Sequence, residues 1–279
     1  MHILLCISSY SHTGRAMEVG AHLAKEVASV VDILFVTGKG DAQASARVVK
    51  TTVAELEHAG IHVTVHQRVG QLSAEIVRQA QSTPYDLVVI GSRGRKGIVA
   101  RLLGSVAREV SGCAPASVLV IKGRVRELQR LLVCTAAGPD SENAVRFAGQ
   151  LAQALGASIT LLHVMSQLPL SRGAVLKHLE ASADELIRFG AREGIHLSHM
   201  MALLAMAGVE VRTVVRHGLV MDEIRTEAQE GRYDLIVIGA HITPGVKPIV
   251  VEDLASDILL AAARPVLTVR IPRQTCEVE

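Results

Sequence analysis

The chain repeats itself, and this limits its possible folds more than any single motif does. ILLCI at residues 3–7 returns as LLVCT at 131–135, and Ala16 and Val36 return as Ala144 and Val164, all at an offset of 128. YDLVVIG at 85–91 returns as YDLIVIG at 233–239, and Gly60, Gly70 and Val118 return as Gly208, Gly218 and Val266, all at an offset of 148. Two copies of one structural unit are therefore expected, roughly 1–124 and 130–271, joined by the charged segment 123–130 and followed by a short tail. The 20-residue difference between the offsets places an insertion between Val164 and Gly208. LSHMMALLAMAG at 197–208 is read as part of it. Met and Leu at helical spacing imply core or interdomain packing; an adaptable apolar surface for a partner or lipid-like ligand is the alternative.

Each copy alternates short apolar runs with amphipathic segments. In the first copy the runs at 3–7, 31–36, 61–65, 87–90 and 118–121 read as strands. The stretches 13–28, 42–59 and 72–81 carry helical spacing, and a further helix follows the fourth strand. Strands separated by helices imply an α/β fold with a parallel sheet covered on both faces. His62 and His66 fall on one face of the third strand, where surface exposure is expected.

Composition narrows the function. Nearly half the residues are hydrophobic but only 2% are aromatic, so the core is aliphatic. A net charge of +2 supplies no broad field for nucleic acid. No apolar run approaches the ~18 residues of a membrane span. No basic leader precedes the first strand, so no signal peptide is expected. The four cysteines lack metal-ligand spacing. Cys6 and Cys134 lie within apolar strands, as small buried hydrophobes do. A reducing cytoplasm fits this usage.

The stretch DLVVIGSRGRKGIVARLLGS at 86–105 carries the chemistry. A strand runs into Gly91, then a loop with Arg93, Gly94, Arg95, Lys96 and Gly97, and Gly104-Ser105 is read as opening a helix through Val106. Glycines let a backbone approach phosphate oxygens, and free N–H groups at a helix start carry partial positive charge. The spacing matches neither a Walker loop nor the GxGxxG dinucleotide fingerprint. A Gly-rich βα loop without a ligand is the plain alternative.

With these residues in view, the sequence resembles the universal stress protein family in its tandem two-domain form. Strand one, GQLSAEIVRQA at 70–80, YDLVVIGSRG, Gly91-x2-Gly94-x9-Gly104-Ser105 and SVLVIK carry the resemblance. It implies two Rossmann-like domains of the adenine nucleotide alpha-hydrolase-like kind, each a five-stranded sheet in the order 3-2-1-4-5. The strand order then reverses between strands one and four, where open α/β sheets bind ligands. Carried over residue by residue, the resemblance implies ATP phosphates on Gly94, Arg95, Gly104, Ser105 and Val106; Arg93, by its charge, has the right sign to assist. Ile90 and Gly91 would lie along ribose and base, and Val36 against adenine. Cys6, Ile7 and Ser8 would line the base and sugar side. Members that bind ATP usually carry an Asp where Ser8 stands. Ser8 is neutral and shorter, and serves a metal ion or ligand donor only weakly.

The second copy departs further. Gly239 is kept, but Ile242 replaces the second glycine, Pro244 and Pro248 stiffen the loop, and Glu252-Asp253 stands where the first copy has Gly104-Ser105. Two carboxylates would repel a phosphate, so this copy is expected not to bind ATP in the family manner. A different ligand near His163, His241 and Asp253 is the sharper alternative. No catalytic constellation is found: Ser105 has no motif-defined His beside it. The resemblance permits slow ATP hydrolysis or autophosphorylation and no more. The expected protein is a cytoplasmic stress-response protein that binds ATP or a related adenine nucleotide in its first domain, with or without magnesium, as a regulatory ligand acting on an unidentified protein partner. An interaction module of the same fold without nucleotide is the alternative. The resemblance further implies an internal pseudo-dimer of the two domains through their last strands, and it permits a homodimer.

Overall fold

The computed structural model describes residues 1–8, 14–27, 30–37, 42–91, 98–123, 127–136, 139–165, 181–240 and 254–270. The first repeat runs β1 (His2–Ser8), α1 (Gly14–Val27), β2 (Val30–Thr37), α2 (Ala42–His58), β3 (His62–Val69), α3 (Leu72–Ser82), β4 (Leu87–Gly91), α4 (Ile98–Cys113) and β5 (Ser117–Ile121). The second runs β6 (Arg130–Thr135), α5 (Pro139–Leu155), β7 (Ser158–Met165), α6 (Ala183–Arg188), α7 (Arg192–Met206), β8 (Val211–His217), α8 (Val220–Glu230), β9 (Leu235–Ala240), α9 (Leu254–Ala261) and β10 (Val266–Arg270).

The expected strand order 3-2-1-4-5 is observed, twice. The strands form a single ten-stranded sheet in the order β3-β2-β1-β4-β5-β10-β9-β6-β7-β8. Pairing is parallel inside each repeat. At the seam β5 and β10 run antiparallel, with Leu119 opposite Leu267. Side chains reinforce the seam: Thr268 Oγ1 donates to the Val118 carbonyl at 3.2 Å, and the buried Arg270 guanidinium donates to the Ser111 carbonyl. Lys122 crosses from the first repeat to the Leu259 and Ala262 carbonyls at the end of α9. A cation at a helix C-terminus satisfies orphan carbonyls and complements the dipole.

Two apolar cores follow from strand alternation. Ile3, Leu5 and Ile7 of β1 face one side, under α1, α2, α5 and α7. Leu4 and Cys6 face the other, with residues of α3, α4, α8 and α9. Each core runs through both repeats, so the chain is divided by the plane of the sheet as much as by the duplication.

Two expectations are corrected. The fourth helix does not open at Gly104: α4 begins at Ile98, which puts Gly104 in its interior. The preceding residues explain this, since Val99, Leu102, Leu103 and Val106 keep helical spacing. One interior glycine costs about 1 kcal/mol against alanine, too little to end such a helix. Second, the Met-rich stretch is not inserted. At the 148 offset, 197–208 corresponds to 49–60, so α7 is the counterpart of α2. The extra residues lie before it, in 166–182 and α6. Leu197, Met200 and Leu204 are buried in the core, as the packing reading required.

Candidate functional site

The strand order reverses beside β1, and there the sheet opens. Pairing of β1 with β2 continues to Ser8 and Val36, whereas pairing of β1 with β4 ends at Leu5 and Val89. The carboxyl ends of β1 and β4 thus part, as at the ligand crevices of open α/β sheets. Alternation decides which side chains reach each side. Cys6, Val36 and Ile90 belong to one apolar cluster, against which Val106 of α4 packs. Ile7 points to the opposite face, into the core beneath α1. Only its backbone is placed to line the crevice.

Among the described residues the polar character at this end is low. Burial pushes the Cys6 thiol far above its ordinary range, so it stays protonated. Ser8 is 1% exposed, and its carbonyl accepts from Ser45 Oγ of α2 at 3.2 Å. Gly91 is half-buried and Ser105 is exposed on α4. Because α4 starts at Ile98, the backbone N–H groups of Gly104, Ser105 and Val106 lie within the helix, and the free amides belong to its first turn. Arg93, Gly94 and Arg95 lie outside the described residues, as do His241, Ile242, Pro244, Pro248, Glu252 and Asp253. No group of three or more His, Cys, Asp or Glu suited to a metal ion occurs among the described residues.

The second repeat is built differently at the same level. His163 Nδ1 lies 3.1 Å from the Thr135 carbonyl, so the neutral ring carries its proton on Nδ1 and donates it. His196 of α7 meets Thr135 Oγ1 at 2.6 Å. The two imidazoles are 6.3 Å apart. Burial holds both below the usual histidine value; for His196 the neighbouring His163 and His199 add to this, while Glu193 acts the other way on His163. At the 128 offset the corresponding residues of repeat one are Phe35 and Ile7. This polar set therefore lies on the α5 and α7 face, away from the face that carries Cys6, Val36 and Ile90 in repeat one.

Sequence reasoning missed a further polar network, whose signal was the repeated Tyr-Asp-Leu. In repeat one Tyr85 donates to Asp32 Oδ2 at 2.5 Å, and Gln79 donates to the Tyr85 hydroxyl at 2.9 Å. His66 Nε2 lies 3.0 Å from Asp32, so His66 is half-buried and engaged rather than a free surface residue. In repeat two Tyr233 donates to Glu227 Oε1 at 2.6 Å, and Arg216 to Glu227 Oε2 at 2.7 Å. Glu227 stands where repeat one has Gln79, and Thr160 where it has Asp32. The buried carboxylate has moved from strand to helix while the tyrosine kept its partner. The aspartates of the motif hold strand starts: Asp86 accepts from the His2 amide at 2.8 Å and Asp234 from the Arg130 amide at 3.0 Å. These hydrogen bonds stabilise the fold, and none of them reaches a described crevice residue.

A doubly wound parallel sheet with a crevice at its switch point defines a Rossmann-like α/β protein. The Universal stress protein family profile matches residues 1–122 and again 127–270. The chain belongs to the universal stress protein family, in tandem form. It is similar to universal stress protein YxiE of Bacillus subtilis, 26% identical over an alignment of 144 residues, with 43% of this chain and 97% of that protein covered. In fold it is similar to a universal stress protein from Archaeoglobus fulgidus, with a TM-score of 0.69, 19% identity and 96% of each chain covered. It is also similar to a universal stress protein from Pseudomonas aeruginosa, with a TM-score of 0.72, 17% identity, and 97% of this chain and 93% of that one covered.

Proposed function

We propose that the first repeat, residues 1–124, binds ATP or a related adenine nucleotide as a regulatory ligand, and that the second, residues 130–271, does not. The observation that carries this reading is that Cys6, Val36 and Ile90 stand on one face of the sheet, in the apolar cluster against which Val106 packs, where β1 and β4 part. A flat apolar base finds aliphatic side chains there. The side chains of Arg93, Arg95 and Ser105 and the free amides in the first turn of α4 supply the donors a triphosphate requires, while Gly91, Gly94 and Gly104 leave room for its close approach. Ser8 offers no carboxylate, so magnesium, if carried, is held by the nucleotide rather than by β1. Bound nucleotide then biases contacts with a protein partner. A cytoplasmic setting suits the free thiols of Cys6, Cys113 and Cys134.

Calorimetric titration of nucleotide-stripped protein with ATP, with and without magnesium, tests this. One site per chain is expected. Gly104→Glu copies Glu252 of the second repeat into the first. Glutamate is a better helix former than glycine, so the fold should survive while affinity falls at least tenfold. Unchanged affinity would remove Gly104 from the phosphate site, and two sites would show that the second repeat binds as well. A second reading, an interaction module without nucleotide, is favoured by the early start of α4. That start leaves the amides of Gly104, Ser105 and Val106 inside a helix. Absence of binding up to about 1 mM ATP, a binding energy near 4 kcal/mol, would establish it.

A further inference from the structure

A cavity of about 320 Å³ lies between α8 and α9, beside the amino end of β9. It belongs to neither the crevice of repeat one nor the histidine pair of repeat two. Its floor is aliphatic: Ile224, Ile236 and Ile258 are each at most 3% exposed, and Ala228 lies beside them. Two arginines are among its lining residues, Arg225 and Arg264. Arg225 is engaged only at the surface, by Asp222 at 3.3 Å, with both side chains more than half exposed. Arg264 is half-buried and makes no hydrogen bond or ion pair with any described residue. A partly desolvated guanidinium without an anion is costly, and this one borders an apolar hollow.

Comparison of the repeats isolates the feature. At the 148 offset, Arg225 and Arg264 correspond to Val77 and Ala116, and Ala261 corresponds to Cys113. The first repeat is apolar at both arginine positions: Val77 packs against its core and Ala116 is buried. The second repeat has gained two cations and a smaller residue around one hollow. An aliphatic floor takes an alkyl body by burial, and a guanidinium takes a carboxylate by paired hydrogen bonds. The volume sits at the low end of small-molecule pockets, about 300–1,000 Å³. At the ~30 Å³ that a water occupies, it holds about ten non-hydrogen atoms.

We propose that the α8–α9 cavity of the second repeat binds a small amphipathic anion, a short-chain alkyl carboxylate, with its chain on Ile224, Ile236 and Ile258 and its carboxylate on Arg264 and Arg225. The probe is octanoate, titrated calorimetrically into the full chain, with 1-octanol as the uncharged control. A dissociation constant of about 10–500 µM is expected, within the efficiency of ligands this small. Octanol should bind at least about tenfold more weakly. Arg264→Gln should lose about tenfold, Arg225→Gln less, and Ala261→Phe, at the exposed edge, should block entry. Circular dichroism and unchanged ATP titration in each variant keep misfolding and the nucleotide reading separate from this one. The proposal is overturned if octanoate fails to bind by about 5 mM, if octanol binds equally well, or if Arg264→Gln keeps the parent affinity.

Discussion

His163 and Thr135 occupy the positions that Phe35 and Ile7 fill in the first repeat, and the exchange has a cost that depends on pH. The fold favours the neutral imidazole, because burial holds His163 and His196 below their usual value. The unfolded chain binds protons first as pH falls. Stability from these rings is therefore complete above about pH 6.5 and is lost as pH drops through the lowered folded values. The unfolding free energy of the parent should decrease from about pH 7 to pH 5, with a slope of at most ~1.4 kcal/mol per pH unit for each ring, read by urea unfolding. His163→Phe, which restores the residue of repeat one, should flatten that slope; an unaltered profile would show that other groups set the acid sensitivity. Asp32 works at lower pH. Burial opposes its charge, but hydrogen bonds from Tyr85 and His66 outweigh this and hold its carboxyl below the ordinary value. Its contribution is lost only as pH falls through that lowered value.

The α6–α7 corner shows what the insertion requires. Ser182 caps α6 with Glu185 in a reciprocal capping box. A few residues later a Cβ on Gly194 would lie 2.2 Å from the Leu186 carbonyl oxygen, so only glycine lets α7 leave α6 at this angle. Gly194→Ala must shift backbone rather than a flexible side-chain tip. It should cost roughly 1–3 kcal/mol in urea unfolding, despite alanine's better helix propensity; a neutral or stabilising result would show that the corner yields. This contact was not legible in the sequence, which marks Gly194 only as a glycine in a helix. The strands were legible because parallel strands buried on both faces read as unbroken apolar runs, as LLVCT and YDLIVIG do. The start of α4 was not, because Gly104 looked like a boundary while the spacing from Val99 onward continued through it. The crevice apolar set was legible only by way of the family resemblance. That Ile7 turns away from Cys6 needed no resemblance, only the two-residue period of a strand.

The seam between β5 and β10 makes one sheet of two. It covers an edge that each repeat would otherwise expose, and open edges pair with other chains. A fragment of residues 1–122 should therefore associate through β5, giving twice the monomer mass by sedimentation at micromolar concentration. A monomeric fragment would show that Arg270, Thr268 and Lys122 do no more than decorate a seam the first repeat can leave open. The antiparallel pairing also sets a direction. It relates the halves by an approximate two-fold rotation about the sheet normal, which keeps the helices on their faces but turns the strands end for end. The carboxyl ends of β1 and β4 and those of β6 and β9 therefore lie on opposite rims of the sheet. The rim that holds the carboxyl ends of β1 and β4 also holds the amino ends of β9 and β10, where Arg264 sits, and not the carboxyl ends of β6 and β9. Whatever approaches one switch point meets the back of the other.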